Sequence, residues 1–276
     1  MKFNSIIGNP PYSELKPGNK KSKAIWEKFV NLSLELVKEN GYVCLIHPSG
    51  WRKPNSKIGN IIKQQQILYL EMHSTFDGLK TFKCYTDYDW YIVKNMKYEN
   101  PTVIKDYNGE ITKNNLNFMP FIPNAQINKV MDLVAKNGEE KVELLHSHSA
   151  YETRKDHMNK EKTQEFKYPC VYIVGGLNTN FWYSSRKEQF FNLPKVVWGN
   201  GRSGVIIDSN GKYGLTQFAY GITDKKENLS KIQKALKSSE FIKNIMGHTK
   251  GGGHRYDKNI IRLFRKDFYK EFIDEI

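Results

Sequence analysis

Near its amino terminus the chain reads Gly8-Asn9-Pro10-Pro11-Tyr12, which sets a side-chain amide, a backbone carbonyl and a phenol ring close together. An Asn side chain offers an acceptor oxygen. Two successive prolines remove two backbone donors and fix φ, so the carbonyls beside Asn9 are not drawn into a strand ladder. Together the Asn9 oxygen and a neighbouring carbonyl can accept both hydrogens of an exocyclic amino group. Such bonds hold the nitrogen lone pair toward an incoming electrophile, while Tyr12 can stack its face on a heteroaromatic ring. Pro10-Pro11 taken alone is no more than a turn that ends a strand.

A loop of this kind needs a strand to aim it. Phe3 to Ile7 reads as a short buried strand, which puts the loop at a strand's carboxyl end, where open α/β sheets hold their ligands. Ser13 to Lys23 is polar, with Gly18 and four lysines. Within Lys23 to Glu39, Ile25, Phe29, Leu32 and Leu36 recur at helical spacing, and Asn40-Gly41 is the expected stop. Tyr42 to Ile46 is a continuous apolar strand closed by His47-Pro48-Ser49-Gly50-Trp51. A helix around Ile58 to Gln66, a strand at Ile67 to Met72, and a further apolar pair, Phe76 to Phe82 and Trp90 to Val93, complete a β-α-β-α-β-β pattern. That is half of a doubly wound sheet whose last two strands form a hairpin.

After Asn95 the texture changes. Residues 96–124 are rich in Asn, Lys and Pro; a helical stretch, Ala125 to Lys136, leads into the polar segment His146 to Lys167. Short β-like runs follow at Tyr168 to Val174, Lys195 to Trp198, Val205 to Ile207 and Leu215 to Tyr220, and helices return at Lys225 to Ser238, at Glu240 to Ile245 and near the end. The fold class expected is α/β: a partial doubly wound, Rossmann-like sheet over residues 1–110, then an α+β domain over residues 111–276.

A chain of 276 residues suits two domains. With 39% hydrophobic and 13% aromatic residues it carries too much apolar surface for a disordered chain. No apolar run approaches the roughly 20 residues that cross a bilayer, and no signal-peptide pattern opens the sequence, so a soluble cytoplasmic protein is expected. Cys44, Cys84 and Cys170 are odd in number and far apart, which supports neither a disulfide framework nor a zinc knuckle. The net charge of +14 attracts polyanions through counterion release, and nucleic acid is the first partner to consider.

Ile6 to Tyr12 resembles the catalytic motif of amino-group methyltransferases, particularly the DNA adenine-N6 class of restriction–modification systems. Trp26-Glu27-Lys28-Phe29, Gly41-Tyr42-Val43 and Pro48-Ser49-Gly50-Trp51 are similar to the helix, turn, strand and Pro-Ser-x-Trp that follow in that family. The resemblance implies that Asn9 and the Pro10 carbonyl hold the adenine amino group of a base flipped from double-stranded DNA, and that Tyr12 stacks on it. Phe82 stands where the family puts a second aromatic, with Phe76 and Tyr85 as neighbouring counterparts. It also implies S-adenosylmethionine as cofactor. Family members of this motif order place their cofactor motifs before Asn-Pro-Pro-Tyr, yet only eight residues precede Asn9 here. The expectation is therefore a partner chain, or a further segment, that carries the cofactor-binding half and covers the exposed edge of the first strand.

No substitute cofactor loop is evident downstream. Gly199-Asn200-Gly201-Arg202-Ser203-Gly204 is formally G-x-G-x-x-G but runs into the strand-like Val205 to Asp208 instead of a helix; Phe76 to Leu79 and Val174 to Leu177 fail in the same way. His146, His148 and His157 could suggest a metal, but no Cys or carboxylate joins them at ligand spacing, and they read as a solvated polar segment. Asp87 and Asp89 read as surface or edge charge. Arg154, Lys155, Arg186, Lys187, Arg202, Lys250 and Arg255 stand among Phe181-Trp182-Tyr183, Phe190-Phe191 and Tyr256, and suit phosphate and base contacts. Two other readings remain: a DNA-binding specificity module without catalysis, and a protein methyltransferase acting on glutamine amides.

Overall fold

The computed structural model describes residues 2–15, 18, 22–175, 178–199, 204–245 and 257–273. Arg202, Lys250, Arg255 and Tyr256 lie outside the described residues. The chain divides into two compact units, Met1–Ile127 and Asn128–Gly247 with Gly253–Ile276. The expected division at 110/111 falls instead within the hairpin that finishes the first unit's sheet.

The first unit is built on a six-stranded mixed sheet. Strand β1 (Phe3–Gly8) is followed by a two-residue ladder of β2 (Ser13–Glu14) with β3 (Lys23–Ala24), then helix α1 (Trp26–Leu36) and strand β4 (Val37–Pro48). Next come α2 (Lys57–Gln64), β5 (Gln65–His73), α3 (Thr75–Phe82), β6 (Tyr88–Lys97), β7 (Thr102–Lys105) and β8 (Ile111–Asn114). The sheet order is β1-β4-β6-β5-β7-β8. β1 runs parallel to β4, whereas β6 enters antiparallel between β4 and β5.

Several expectations are corrected here. Phe76 to Phe82 is a helix, because Ser74 and Asp77 form a reciprocal capping box at its start; β6 therefore pairs with β5 across α3 and not through a hairpin. Residues 96–124 hold β7 and β8, whose connecting turn is set by Asp106 Oδ1 accepting from the amides of Asn108 (2.8 Å) and Glu110 (3.0 Å). Strand β1 forms as expected but is not buried: it lies at the sheet edge, and Ile7 is 80% exposed. Helix α1 is shorter than its apolar period suggested, since Lys23-Ala24 pairs in β3 and Val37 already belongs to β4.

The second unit holds α4 (Ile127–Asp132), two four-stranded sheets and the helices behind them. One sheet joins β10 (Met158–Asn159), β12 (Thr179–Ser184), β11 (Tyr168–Val174) and β15 (Gly214–Leu215); the other joins β14 (Val205–Asp208), β13 (Lys195–Gly199), β16 (Ala219–Thr223) and β9 (Glu143–Leu145). Leu145, Val171, Val174, Val197, Leu215 and Ala219 form a core drawn from both. Leu215 to Tyr220, expected as one strand, is split by a turn in which Ala219 N donates to the Thr216 carbonyl. Helix α5 (Lys226–Lys237) buries Leu229, Ile232, Ala235 and Leu236; α6 (Lys258–Ile261) follows later. Lys195 and Asp208 make a buried ion pair at 2.6 Å.

Gly41 decides how β1 seats on β4. The register jumps from Phe3 opposite Val37 to Ser5 opposite Tyr42, so β4 bulges there, with Asn40 at φ +60°. A Cβ on Gly41 would stand 2.7 Å from the Asn4 carbonyl oxygen. Gly41→Ala should therefore unseat β1 and cost about 1–3 kcal/mol by overpacking, read as a lower melting temperature; an unchanged melt would show that the bulge is free to open.

Candidate functional site

Because β1 and β4 are parallel and β6 is antiparallel to β4, one end of the sheet gathers several chain segments. Gly8, just before Asn9, pairs with Leu45; Pro48, at the end of β4, lies opposite Tyr88, as does His73 at the end of β5. Helix α3 delivers Phe82 to the same end. Asn9 is exposed, Pro10 is buried, and Tyr12 is half-buried. The Tyr12 carbonyl accepts from Ile25 N at 3.1 Å, which ties the loop to the start of α1.

The rings form a row. Tyr12 meets Phe82 edge-on, with centroids 6.1 Å apart at 79°, and Phe82 meets Tyr88 at 4.9 Å and 74°. Tyr88 stacks on His73 at 4.5 Å and takes part in a 3.2 Å hydroxyl contact with Thr81. Phe76 and Tyr85, the other aromatics considered, are 67% and 71% exposed, so Phe82 is the ring that reaches Tyr12. Phe82 is held by Gly78: a Cβ there would fall 1.9 Å from the Thr86 carbonyl oxygen, so the 84–86 backbone lies directly on α3. The Tyr12 hydroxyl is buried with no hydrogen-bond partner among the described residues. Burial, with Tyr88 nearby, pushes its ionisation up to about 12.

Beneath this row lies a polar core. Asp89 on β6 is fully buried, accepting from Trp51 Nε1 at 2.7 Å and Arg52 Nε at 2.8 Å. Arg52 also donates to Asn124 Oδ1 at 2.8 Å and to the Ile122 carbonyl at 3.1 Å. Burial pushes the Asp89 carboxyl up, and Arg52 and Trp51 pull against that shift. Asp89 is thus no surface or edge charge; its alternation with the buried Tyr91 and Val93 was the signal that placed it inside. Asp87 accepts from the Ser49 hydroxyl, and both border an open cleft of about 640 Å³ with Trp26, Gly50, Lys53 and Lys57. Arg52 escaped the sequence analysis, although it directly follows the Pro-Ser-Gly-Trp string.

In the second unit, two of the expected basic pairs come together. Ser185 N donates to the His157 carbonyl at 3.0 Å, and Glu188 N to the Tyr151 hydroxyl at 2.7 Å, so the turn with Arg154-Lys155 adjoins the loop with Arg186-Lys187. All four residues are exposed. Arg154 is paired with Glu152, and Arg186 lies 4.0 Å from Glu188. Gln217 bonds Thr153 through both its amide oxygen (3.2 Å) and nitrogen (3.0 Å), beside an aromatic trio in which Tyr172 contacts Phe218 at 5.3 Å and Trp182 at 6.0 Å. His157 bonds the Ala150 carbonyl, apart from the contacting pair His146 and His148. Among the described residues no group of three or more His, Cys, Asp or Glu could hold a metal ion, and no helix is long and apolar enough to cross a membrane. The three cysteines are free thiols.

Residues 1–77 match the Eco57I restriction-modification methylase family. The segment with the Asn9 loop, β4 and β5 is thereby related to restriction-modification methylases. No curated protein matches the chain. Among solved structures, the type IIL restriction-modification enzyme MmeI, in complex with DNA, is similar with a TM-score of 0.55 at 10% identity, over 94% of this chain and 46% of that one. The type IIG restriction endonuclease BpuSI gives 0.36 at 8% identity, over 91% and 44%, and the EcoKI M protein of a type I restriction enzyme 0.30 at 12%, over 38% and 25%. The chain spans a quarter to just under half the length of these structures. The MmeI likeness shows a shared mixed α/β fold.

His47 supplies a pH test of this end of the sheet. It is fully buried, stacks on Trp26 at 4.3 Å, and its Nε2 lies 2.9 Å from the Tyr91 hydroxyl, with Nδ1 3.0 Å from the Pro48 carbonyl. Burial lowers its ionisation to about 4, against the pull of the Pro48 carbonyl. A folded value below the unfolded one of about 6.5 gives stability that is complete above that pH and falls away as pH drops toward about 4. Wild-type protein should lose on the order of 3 kcal/mol across that window, measured by urea unfolding at stepped pH. His47→Gln should flatten this acid limb; an unchanged limb would assign it to other groups.

Proposed function

We propose that this chain is the target-holding and recognition portion of a DNA adenine-N6 methyltransferase. The single observation that carries the reading is Asn9-Pro10-Pro11-Tyr12 at the carboxyl end of a parallel strand, inside the segment that matches the methylase family, with Phe82 facing Tyr12. In this reading the Asn9 amide oxygen and the Pro10 carbonyl accept both hydrogens of the adenine amino group. Planar amines are poor nucleophiles because their lone pair is delocalised into the ring, and fixing both N–H bonds favours the geometry in which that pair points outward. Tyr12 lays its face on the flipped base and Phe82, in edge contact with Tyr12, supports that ring, so that stacking offsets the cost of unstacking from the duplex. The amine is itself the nucleophile, and no covalent enzyme intermediate is formed.

The methyl donor implied is S-adenosylmethionine, and the described residues do not fit it. Gly78 is closed over by the Thr86 carbonyl, and a Cβ at Gly199 would stand 2.9 Å from Val174 N, so these glycines admit the protein's own backbone and not a ligand. We assign the donor site to another segment or partner chain that covers β1, whose exposed Phe3 and Ile7 lie on a sheet edge. The first unit, through Ile127, then serves as the catalytic-loop half and the second unit, from Asn128, as the target-recognition domain. Arg154, Lys155, Arg186 and Lys187 contact phosphates, beside rings that can reach bases.

In the assembled enzyme, Asn9→Ala should abolish methylation of duplex DNA, scored by methylation-sensitive cleavage, while duplex affinity stays near wild type. Retained methylation would sink the assignment. The isolated chain should bind duplex DNA with a steep linear loss of log affinity against log salt, and Arg154→Gln with Arg186→Gln together should lower that slope by about 1.8 if each neutralises one phosphate. A salt-independent affinity would favour a protein substrate.

A further inference from the structure

A second cluster of basic side chains lies on the second unit, made of residues other than the arginines and lysines assigned above. His146 and His148, which follow β9, bring their Nε2 atoms to 3.4 Å, and Lys258 Nζ on α6 stands 3.3 Å from the same His148 nitrogen. All three are arranged around Tyr220 of β16. The His146 ring lies 4.6 Å from it, tilted by 38°, and Lys258 Nζ sits over its face at 5.2 Å. His146 Nδ1 is 3.3 Å from the Ala219 carbonyl, which can only accept, so Nδ1 carries the proton and Nε2 of the neutral ring bears a lone pair.

These three nitrogens cannot satisfy one another. If His148 Nε2 accepts from Lys258, its lone pair also faces the lone pair of His146. If it donates to His146 instead, its proton faces the ammonium. Burial, with Lys258 and Arg262 adding to it, holds His146 down to about 4 against the pull of the Ala219 carbonyl; Asp257, the cap of α6, acts on Lys258 in the opposite sense to burial and Arg262. A single acceptor oxygen resolves the conflict. With one proton taken up, both Nε2–H groups and the ammonium can all donate to it.

We infer that His146, His148 and Lys258 form an oxyanion site that takes one phosphoryl group, supplied by the backbone of the bound nucleic acid. The source rests on the DNA reading above; the chemistry of the site does not. Two imidazoles at this spacing also suit a transition metal, but the flanking Lys258 and Arg262 oppose a cation.

The test uses the full chain and imidazole NMR. Inorganic phosphate should move the His146 and His148 resonances and raise the His146 ionisation, and Lys258→Gln should remove that response while Lys231→Gln, on the exposed face of α5, keeps it. A mixed-sequence duplex should move the same resonances. The log–log salt slope of duplex binding should fall by about 0.9 more in Lys258→Gln than in Lys231→Gln. If phosphate moves them and the duplex binds without doing so, the site stands and the backbone is not its source. If the duplex fails to bind while phosphate still acts, the DNA reading fails and the site survives. A response to zinc with none to phosphate overturns the inference.

Discussion

The first unit depends on one buried ion pair. Arg52 and Asp89 are both out of water, and removing either partner would leave an uncompensated charge at a cost of about 3–5 kcal/mol. The pair joins three pieces of chain: the turn after β4, the start of β6, and residues 122–124 through the Ile122 carbonyl and Asn124. β6 is the strand that β4 and β5 share, so fixing its Asp89 end also fixes Tyr88, the ring on which Phe82 and His73 both rest. The aromatic row reaching Tyr12 is therefore positioned from below by electrostatics and from the side by Gly78, which lets the 84–86 backbone lie on α3.

Against that rigid floor the upper part of the site is left open. β1 has a single sheet neighbour, β4, and its loop is held by Pro10, by the Ile25 bond to the Tyr12 carbonyl and by the edge contact with Phe82. The Tyr12 hydroxyl is out of water and has no partner among the described residues, an arrangement that costs stability in the free protein. A site that must receive a planar group and then release it gains from such incompleteness, because the ligand finds contacts that the protein has not already made to itself.

Much of the chain was legible in the sequence where a local rule and the tertiary outcome agree. β4, β11 and β13 are apolar runs, α1 and α5 have helical period, and Asn9 to Tyr12 has a chemistry readable from residue types alone. The failures share a cause. Phe76 to Phe82 reads as an apolar segment, but its Ser74–Asp77 capping box decides for helix, and that signal lies in residues outside the run. β7 and β8 are short and set among Asn and Lys; what makes them strands is the open edge of β5 and an Asp106 turn, neither visible in composition. Asp89 and Arg52 are charged residues whose burial depends on each other, and they lie 37 positions apart in the chain. The basic pairs of the second unit could be recognised singly; their meeting depends on Ser185 and Glu188 bonding back to the 151–157 turn.

The second unit repeats the first unit's solution to buried charge and differs in how it treats exposed charge. Lys195 donates to Asp208 and to the Phe190 and Leu193 carbonyls, while Asp208 also accepts from the amides of Lys212 and Tyr213, so the pair is saturated and closed to ligands. Outside, the excess of cations is only partly compensated. Arg154 and Arg186 each have a glutamate two residues away, so a phosphate must displace or share a carboxylate there, and affinity gained is the difference between two solvated pairs. Among the described residues His146, His148 and Lys258 make no ion pair with a carboxylate, and what an anion removes is repulsion. A surface with both arrangements can bind a polyanion at points of different character: exchangeable contacts at the arginines, where screening by salt is strong, and a more demanding contact at the imidazoles, where binding also requires a proton.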